Sequence, residues 1–352
     1  MQIRTRSGGH DYEGLSYRSK VPYVVLDLVN LSEITIDVEQ KTAWVQAGAI
    51  IGQLYYKISQ TSRTLAFPAG ACPTVGVGGL FSGGGYGPML RKFGLAADNI
   101  VDARLIDVEG RILDRKSMGE DLFWAIRGGG GASFGIITAW KLNLVTVPET
   151  LTIFSISRTL EQNVTELVHR WQYIAPNLPD DLLISISIGP EPISVSGFEG
   201  MWKLLNEREA GTAEMLVVPY GGRMNEISES ALPFPHRAGN LYKIQQLAYW
   251  DELGAEASGT SISWVRKIYS YMTPYVSKSP RAAYINYRDL DLGVNKEGNT
   301  NYAQASIWGL KYFKNNFKKL VRVKTTIDPS NFSETSKVFH SATPSSKATK
   351  EE

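Results

Sequence analysis

Between Gly70 and Gly87 the chain places eight glycines in eighteen residues: Gly-Ala-Cys-Pro-Thr-Val-Gly-Val-Gly-Gly-Leu-Phe-Ser-Gly-Gly-Gly-Tyr-Gly. Glycine lacks a Cβ, so such a run lets backbone approach a neighbour closely. The run has neither the basic residue of a phosphate-binding P-loop nor the Gly-x-Gly-x-x-Gly spacing of a nucleotide-binding turn. It therefore predicts a backbone surface laid against a large flat ligand. A second cluster, Gly128 to Gly131 with Gly135, and a third, Ser7-Gly8-Gly9-His10, repeat the theme. Consecutive glycines of the third kind free backbone amides to bind an anion such as pyrophosphate. A histidine after glycines, taken alone, reads as a solvated loop residue. Cys72 is the only cysteine, which excludes an internal disulfide. A single cysteine is ordinarily a small buried hydrophobe, but against a flat ligand it reads better as a reactive thiol.

Composition removes several function classes. Lys plus Arg is 37 and Asp plus Glu is 35, a net charge of +2 with no basic block, so no nucleic-acid partner is expected. No apolar run reaches the ~18 residues of a membrane span. The four histidines, His10, His169, His236 and His340, lack zinc-site spacing. The start, Met1-Gln2-Ile3-Arg4, has no charged and apolar leader pattern, so no signal peptide is expected and the location is left open. Sequons at Asn30, Asn163 and Asn331 hint at a secreted ancestor.

Residues 1–147 read as short strands mixed with helices. Val24–Leu28, Ala43–Ala47 and Ile100–Val108 are strand-like, Ile50–Ser59 is helical, and Glu109-Gly110 is a hairpin turn. Thr152–Ser157, Leu182–Ile188 and Met215–Tyr220 alternate as strands, and Val164, Leu167, Val168 and Trp171 form a helix face. This predicts an antiparallel sheet covered by helices. Tyr302–Val323 reads as one long amphipathic helix with Ile307, Leu310, Phe313, Phe317 and Leu320 on its apolar side.

Two segments carry a resemblance. Arg4-Thr5-Arg6-Ser7-Gly8-Gly9-His10-Asp11-Tyr12-Glu13-Gly14 and Cys72 to Gly87 resemble the flavin-attachment segments of the plant berberine bridge enzyme-like oxidases. The 62-residue separation of His10 and Cys72 fits as well. That group belongs to the vanillyl-alcohol-oxidase type of FAD proteins. The resemblance implies an α+β, two-lobed FAD-binding fold with an antiparallel-sheet substrate lobe. It implies an FAD-binding lobe over 1–149, a substrate lobe over 150–283, a C-terminal segment over 284–332 returning to the first lobe, and a disordered tail over 333–352. Family segments would be missing at the N-terminus, between Ile188 and Glu199, and after Phe332.

The cofactor implied is bicovalent FAD, joined through His10 to the 8α-methyl and through Cys72 to C6. An imidazole and a thiolate are the nucleophiles such links require. Ser7, Gly8, Gly9, Val75, Gly76, Gly79 and Ile137 would complete the cofactor contacts. Phe234-Pro-His-Arg-Ala-Gly-Asn-Leu-Tyr-Lys243-Ile-Gln245 is similar to the family's substrate-side strand, and Tyr284-Ile-Asn-Tyr287 to the strand carrying its active-site tyrosine. Tyr287 would be the general base, with Lys243 as the cation that lowers its pKa, and Tyr86 a second tyrosine at the ring. Gln245 stands near the place of a glutamate in berberine bridge enzyme, which points toward a phenylpropenyl alcohol or sugar hemiacetal. The partners implied are a small-molecule substrate and oxygen, on a monomer. Val75, where the family's poorly oxygen-reactive members carry Leu, implies an oxidase. The rival expectation is a shortened, non-catalytic chain that cannot hold FAD.

Overall fold

The computed structural model describes residues 2–159, 161–188, 198–205, 207–210, 213–251, 254–278, 281–295 and 301–331. The chain divides into two compact units. One comprises Met1–Thr150, Ser228–His236 and Ala282–Glu352; the other comprises Leu151–Ile227 and Arg237–Arg281. The expected tail at 333–352 and the bridge at 189–197 lie outside the described residues.

The first unit is built on a five-stranded antiparallel sheet in the order Ile34–Asp37, Thr42–Gln46, Ile136–Asn143, Ile100–Ile106, Ile112–Leu113. Ala43, Val45, Ala103, Leu105, Trp140 and Leu142 are buried, and Val45 and Ala103 flank Trp140 in register. Each large side chain buried in this way contributes about 1.5–3 kcal/mol. Helix Val77–Ser82 lies inside the glycine-rich stretch and buries Val77 and Phe81. The Phe81 ring meets Trp140 edge-on at 6.3 Å and Phe67 at 5.3 Å. The apolar residues of that stretch therefore seat it on the sheet. Gln2–Arg6 pairs in parallel with Tyr23–Asp27, and the guanidinium of Arg6 pairs with Asp27 and holds its carboxyl below the usual range.

The C-terminal helix differs from the sequence reading. It is two helices, Tyr302–Phe313 and Asn316–Ile327, broken at Lys314, which adopts a φ of +45°. Tyr302 stacks on Phe317 with centroids 5.7 Å apart, whereas in one straight helix they would be roughly 22 Å apart. The reversal also turns the face: Ala305, Trp308 and Tyr312 are buried, while Ile307 and Leu310 are exposed. The side-chain amide of Asn316 donates to the carbonyls of Glu229 (2.6 Å) and Leu232 (3.0 Å). These bonds tie Ser228–His236 into the first unit. Lys324, fully buried, donates to Asp328 Oδ2 at 2.6 Å and to the Ser133 carbonyl at 2.8 Å.

The second unit holds a three-stranded antiparallel sheet, Ile186–Ile188, Glu214–Pro219, Tyr242–Leu247, with helices Val164–Ile174, Phe198–Leu205 and Ala255–Met272. Its core gathers Trp171, Met201, Leu204, Met215, Val217, Trp264 and Ile268. Both indoles are satisfied, Trp171 by the Ile184 carbonyl and Trp264 by the Leu204 carbonyl. Two expected strands are corrected. Leu182–Ile188 shrinks to Ile186–Ile188, and Thr152–Ser157 forms no strand, with Ile153 91% exposed. Alternation supplies a pattern, but a strand also requires a neighbouring edge to pair with.

Candidate active site

The first segment docks on the second through glycine. A Cβ added to Gly76 would lie 2.1 Å from the Gly8 nitrogen and 2.2 Å from Ser7 Oγ. Ser7 Oγ donates to the Ala47 carbonyl at 2.6 Å and accepts from Gly78 N at 3.3 Å. Only glycine permits this contact, and it brings His10 to the Cys72 turn. Thr74 Oγ1 lies 2.9 Å from His10 Nε2 and 3.5 Å from Cys72 Sγ. The two residues expected from sequence as attachment points thus meet at a threonine the sequence reading passed over. Val75, half-buried, accepts from Ile51 N at 2.9 Å through its carbonyl. Ile137 is buried in Ile136–Asn143 opposite Leu105.

The glycine-rich stretch presents bare backbone at an open position. Gly79 is exposed, and a Cβ placed there would find no atom within 4 Å. At Gly131 the nearest atom to such a Cβ is Gly79 Cα, at 3.8 Å. Bare backbone of the two glycine clusters thus meets here, with open space over Gly79, and the nearby donor set of imidazole and thiol suits FAD chemically. Gly9 sits at φ +73°, a conformation glycine adopts without strain.

A tyrosine cluster completes the first unit's site. The hydroxyls of Tyr86 and Tyr287 are hydrogen-bonded to each other. Tyr12, two residues after His10 and 53% exposed, stacks on Tyr287 at 5.2 Å. Tyr284 packs edge-on against Tyr86 (5.6 Å) and Tyr287 (5.1 Å). Its hydroxyl accepts from Gly85 N at 3.0 Å and from Asn286 Nδ2 at 2.8 Å. Ile285–Tyr287 is a single 3₁₀ turn, not the strand expected. The turn is what lets Tyr284 and Tyr287 both reach Tyr86. Tyr12, Tyr284 and Asn286 lay in quoted motifs, yet nothing in their residue type set them apart.

The expected lowering of the Tyr287 pKa is also corrected. Burial pushes it well above 10, and Tyr86, Tyr12 and Tyr284 push it further. Burial likewise raises Tyr86 and Tyr284. Lys243, the expected cation, is itself driven well below its ordinary value by burial. Lys243 and Gln245 lie in the second unit on one face of Tyr242–Leu247, opposite the face that Tyr242 and Ile244 turn to the core.

Comparison with known proteins supplies the class. Residues 1–115 match the family model described as an FAD binding domain, and residues 283–335 match the model described as berberine and berberine like. The chain is 46% identical to tetrahydroberberine oxidase of Berberis wilsoniae, over 94% of this chain and 79% of that protein. It is 43% identical to cannabidiolic acid synthase-like 1 of Cannabis sativa, over 94% of this chain and 78% of that one. Among solved structures, berberine bridge enzyme-like 28 of Arabidopsis thaliana superposes with a TM-score of 0.91 at 41% identity, covering 97% of this chain and 87% of that chain. The fold is thus that of the vanillyl-alcohol-oxidase type of FAD proteins. The chain belongs to the berberine bridge enzyme-like family of FAD-linked oxidoreductases.

Proposed function

We propose that the chain oxidises an alcohol or amine carbon of a small plant metabolite or a sugar, with FAD linked through His10 and Cys72 as the hydride acceptor and oxygen as the final one. The first unit, led by residues 1–149, would hold the cofactor, and the second the substrate. The carrying observation is the hydrogen-bonded Tyr86–Tyr287 pair, tied by Tyr12 to the segment that presents His10. A hydroxyl pair of this kind can lose one proton and keep a bridging hydrogen, so it titrates as a unit and can take a proton from a substrate hydroxyl. The relatives span both substrate kinds: one is a tetrahydroberberine oxidase, and wild-type Phl p 4 is a glucose dehydrogenase.

The attachment points have a direct test. Cys72→Ala should keep flavin bound through His10 after acid precipitation. His10→Ala combined with Cys72→Ala should release all of it to the supernatant. Yellow colour surviving denaturation of the double variant would remove both residues from that role. A second reading, a chain that keeps the motifs without turnover, draws on the exposed apolar run of Leu151, Ile153, Phe154 and Ile156. A colourless unaltered protein would decide for it.

Oxygen use follows from packing at Val75. Interiors are dense enough that one methylene decides whether a small apolar pocket exists, and oxygen needs no hydrogen-bond partner there. In Phl p 4 a variant with valine in place of an isoleucine is a glucose oxidase, while the wild type is a glucose dehydrogenase. Flavin reduced without air and then mixed with aerated buffer should reoxidise quickly. Val75→Leu should slow this by roughly tenfold or more, a barrier increase of about 1.4 kcal/mol. Equal rates in the two proteins would discard Val75 as the determinant.

A further inference from the structure

We propose that Thr74 is the positioning residue for covalent flavin attachment and serves both attachment points through one hydroxyl. The inference rests on the reading that His10 and Cys72 carry the links.

The geometry begins with the turn. Pro73 fixes the φ of the second turn position, and Val75 N donates to the Cys72 carbonyl at 3.2 Å to close it. Gly52 N donates to the Pro73 carbonyl and Ile51 N to the Val75 carbonyl, each at 2.9 Å, so the turn is pinned to the start of helix Ile51–Thr61. Thr74 therefore presents its side chain from a backbone held on both sides. Its Oγ1 lies 2.9 Å from His10 Nε2 and 3.5 Å from Cys72 Sγ.

A threonine hydroxyl has one hydrogen to donate and two lone pairs to accept with. One assignment leaves both nucleophiles ready. His10 donates its Nε2 hydrogen to Oγ1, and Oγ1 donates its own hydrogen to the sulfur. With the proton on Nε2, the lone pair is on Nδ1, which is then the nitrogen free to form a bond. The hydrogen given to sulfur compensates the charge that develops as the thiol loses its proton, and the thiolate is the form that attacks.

The balance is the same at each link. One bond forms, from Nδ1 to the 8α carbon or from sulfur to C6. That carbon gives up one hydrogen as a proton, and the nucleophile gives up another to water, from Nε2 or from the thiol, both residues being exposed. Two electrons pass by way of the flavin to dioxygen, which leaves as hydrogen peroxide with those two protons.

The experiment uses the full chain produced without riboflavin, then mixed with FAD in air. Flavin retained after acid precipitation is followed over time, and the His10 and Cys72 peptides are resolved by mass. Thr74→Val, which keeps the shape without the hydroxyl, should slow both links by roughly tenfold or more, the effect of one hydrogen bond lost beside a reacting atom. Non-covalent FAD binding, read by quenching of flavin fluorescence, should be unchanged, and Thr74→Ser should restore both links. Should the valine variant fail to bind FAD, Thr74→Ala, which adds no new contact, is read in its place. Attachment at the unaltered rate on either peptide overturns the proposal, as does a serine variant as slow as valine. Failure of the underlying reading shows elsewhere: the unaltered protein would then carry no flavin on either peptide.

Discussion

The Lys324→Met protein is expected to lose about 3–5 kcal/mol of stability, because the substitution breaks a fully buried ion pair by removing one of its charges. Lys324 and Asp328 are both 0% exposed, with nitrogen and oxygen 2.6 Å apart. The ammonium also donates to the carbonyl of Ser133, within the second glycine cluster's segment. At roughly 2–4 °C per kcal/mol for a unit of this size, the first unit should melt about 10 °C lower. Replacing both partners, Lys324→Met with Asp328→Leu, should recover most of the loss, since two apolar groups leave no buried charge. Thermal unfolding of the three proteins followed by circular dichroism checks this. A single variant as stable as the unaltered chain would mean that water reaches the Asp328 carboxylate.

Tyr287→Phe is expected to slow flavin reduction by a factor of ~10²–10⁴, the usual worth of a positioned acid–base group. The ring stays, so stacking on Tyr12 and the flavin spectrum should be nearly unchanged. The sign of the pH dependence follows from burial. Tyr287 titrates well above the ordinary tyrosine value of 10, so the pair is protonated at neutral pH. If one proton must leave before the substrate's is accepted, the reduction rate should climb about tenfold per pH unit without a plateau below about pH 10. The phenylalanine variant should lose that climb. Rapid mixing across pH measures both effects, and an unchanged rate in Tyr287→Phe would take the residue out of proton transfer.

Cys72 stood out in the sequence as a lone thiol among glycines, whereas His10 by itself read as a solvated loop residue and came forward only through the resemblance of its segment to the family's flavin-attachment segments. Thr74 and Asn286 did neither. Threonine and asparagine are common, and these two acquire a role only from partners 64 and 206 residues away. Lys324 and Asp328 lay beyond the helix read from the sequence, and burial of a charge cannot be seen in spacing. Ala43–Ala47 and Ile100–Val108, read as strands, found neighbouring edges and joined the five-stranded sheet, whereas Ile34–Asp37 and Ile136–Asn143 were not read as strands. Thr152–Ser157 had an alternating pattern too but pairs with no strand among the described residues. The break at Lys314 escaped because neither Gly nor Pro stands at it, and the contacts that favour the reversal, Phe317 against Tyr302 and Gly309, and Lys314 with Glu229, are formed only in the folded chain.

The first unit is assembled from three stretches far apart in the chain, and this sets an order of events during synthesis. All five strands of its sheet have been synthesised once Asn143 has been made. Tyr287 is translated 201 residues after Tyr86, a delay of roughly 10–40 s at ~5–20 residues per second. During that interval the sheet can form, but the Ser133 carbonyl lacks Lys324 and Tyr86 lacks its hydroxyl partner. The nascent glycine surface therefore waits, open to water and to chaperones, until the C-terminal helices arrive to close it.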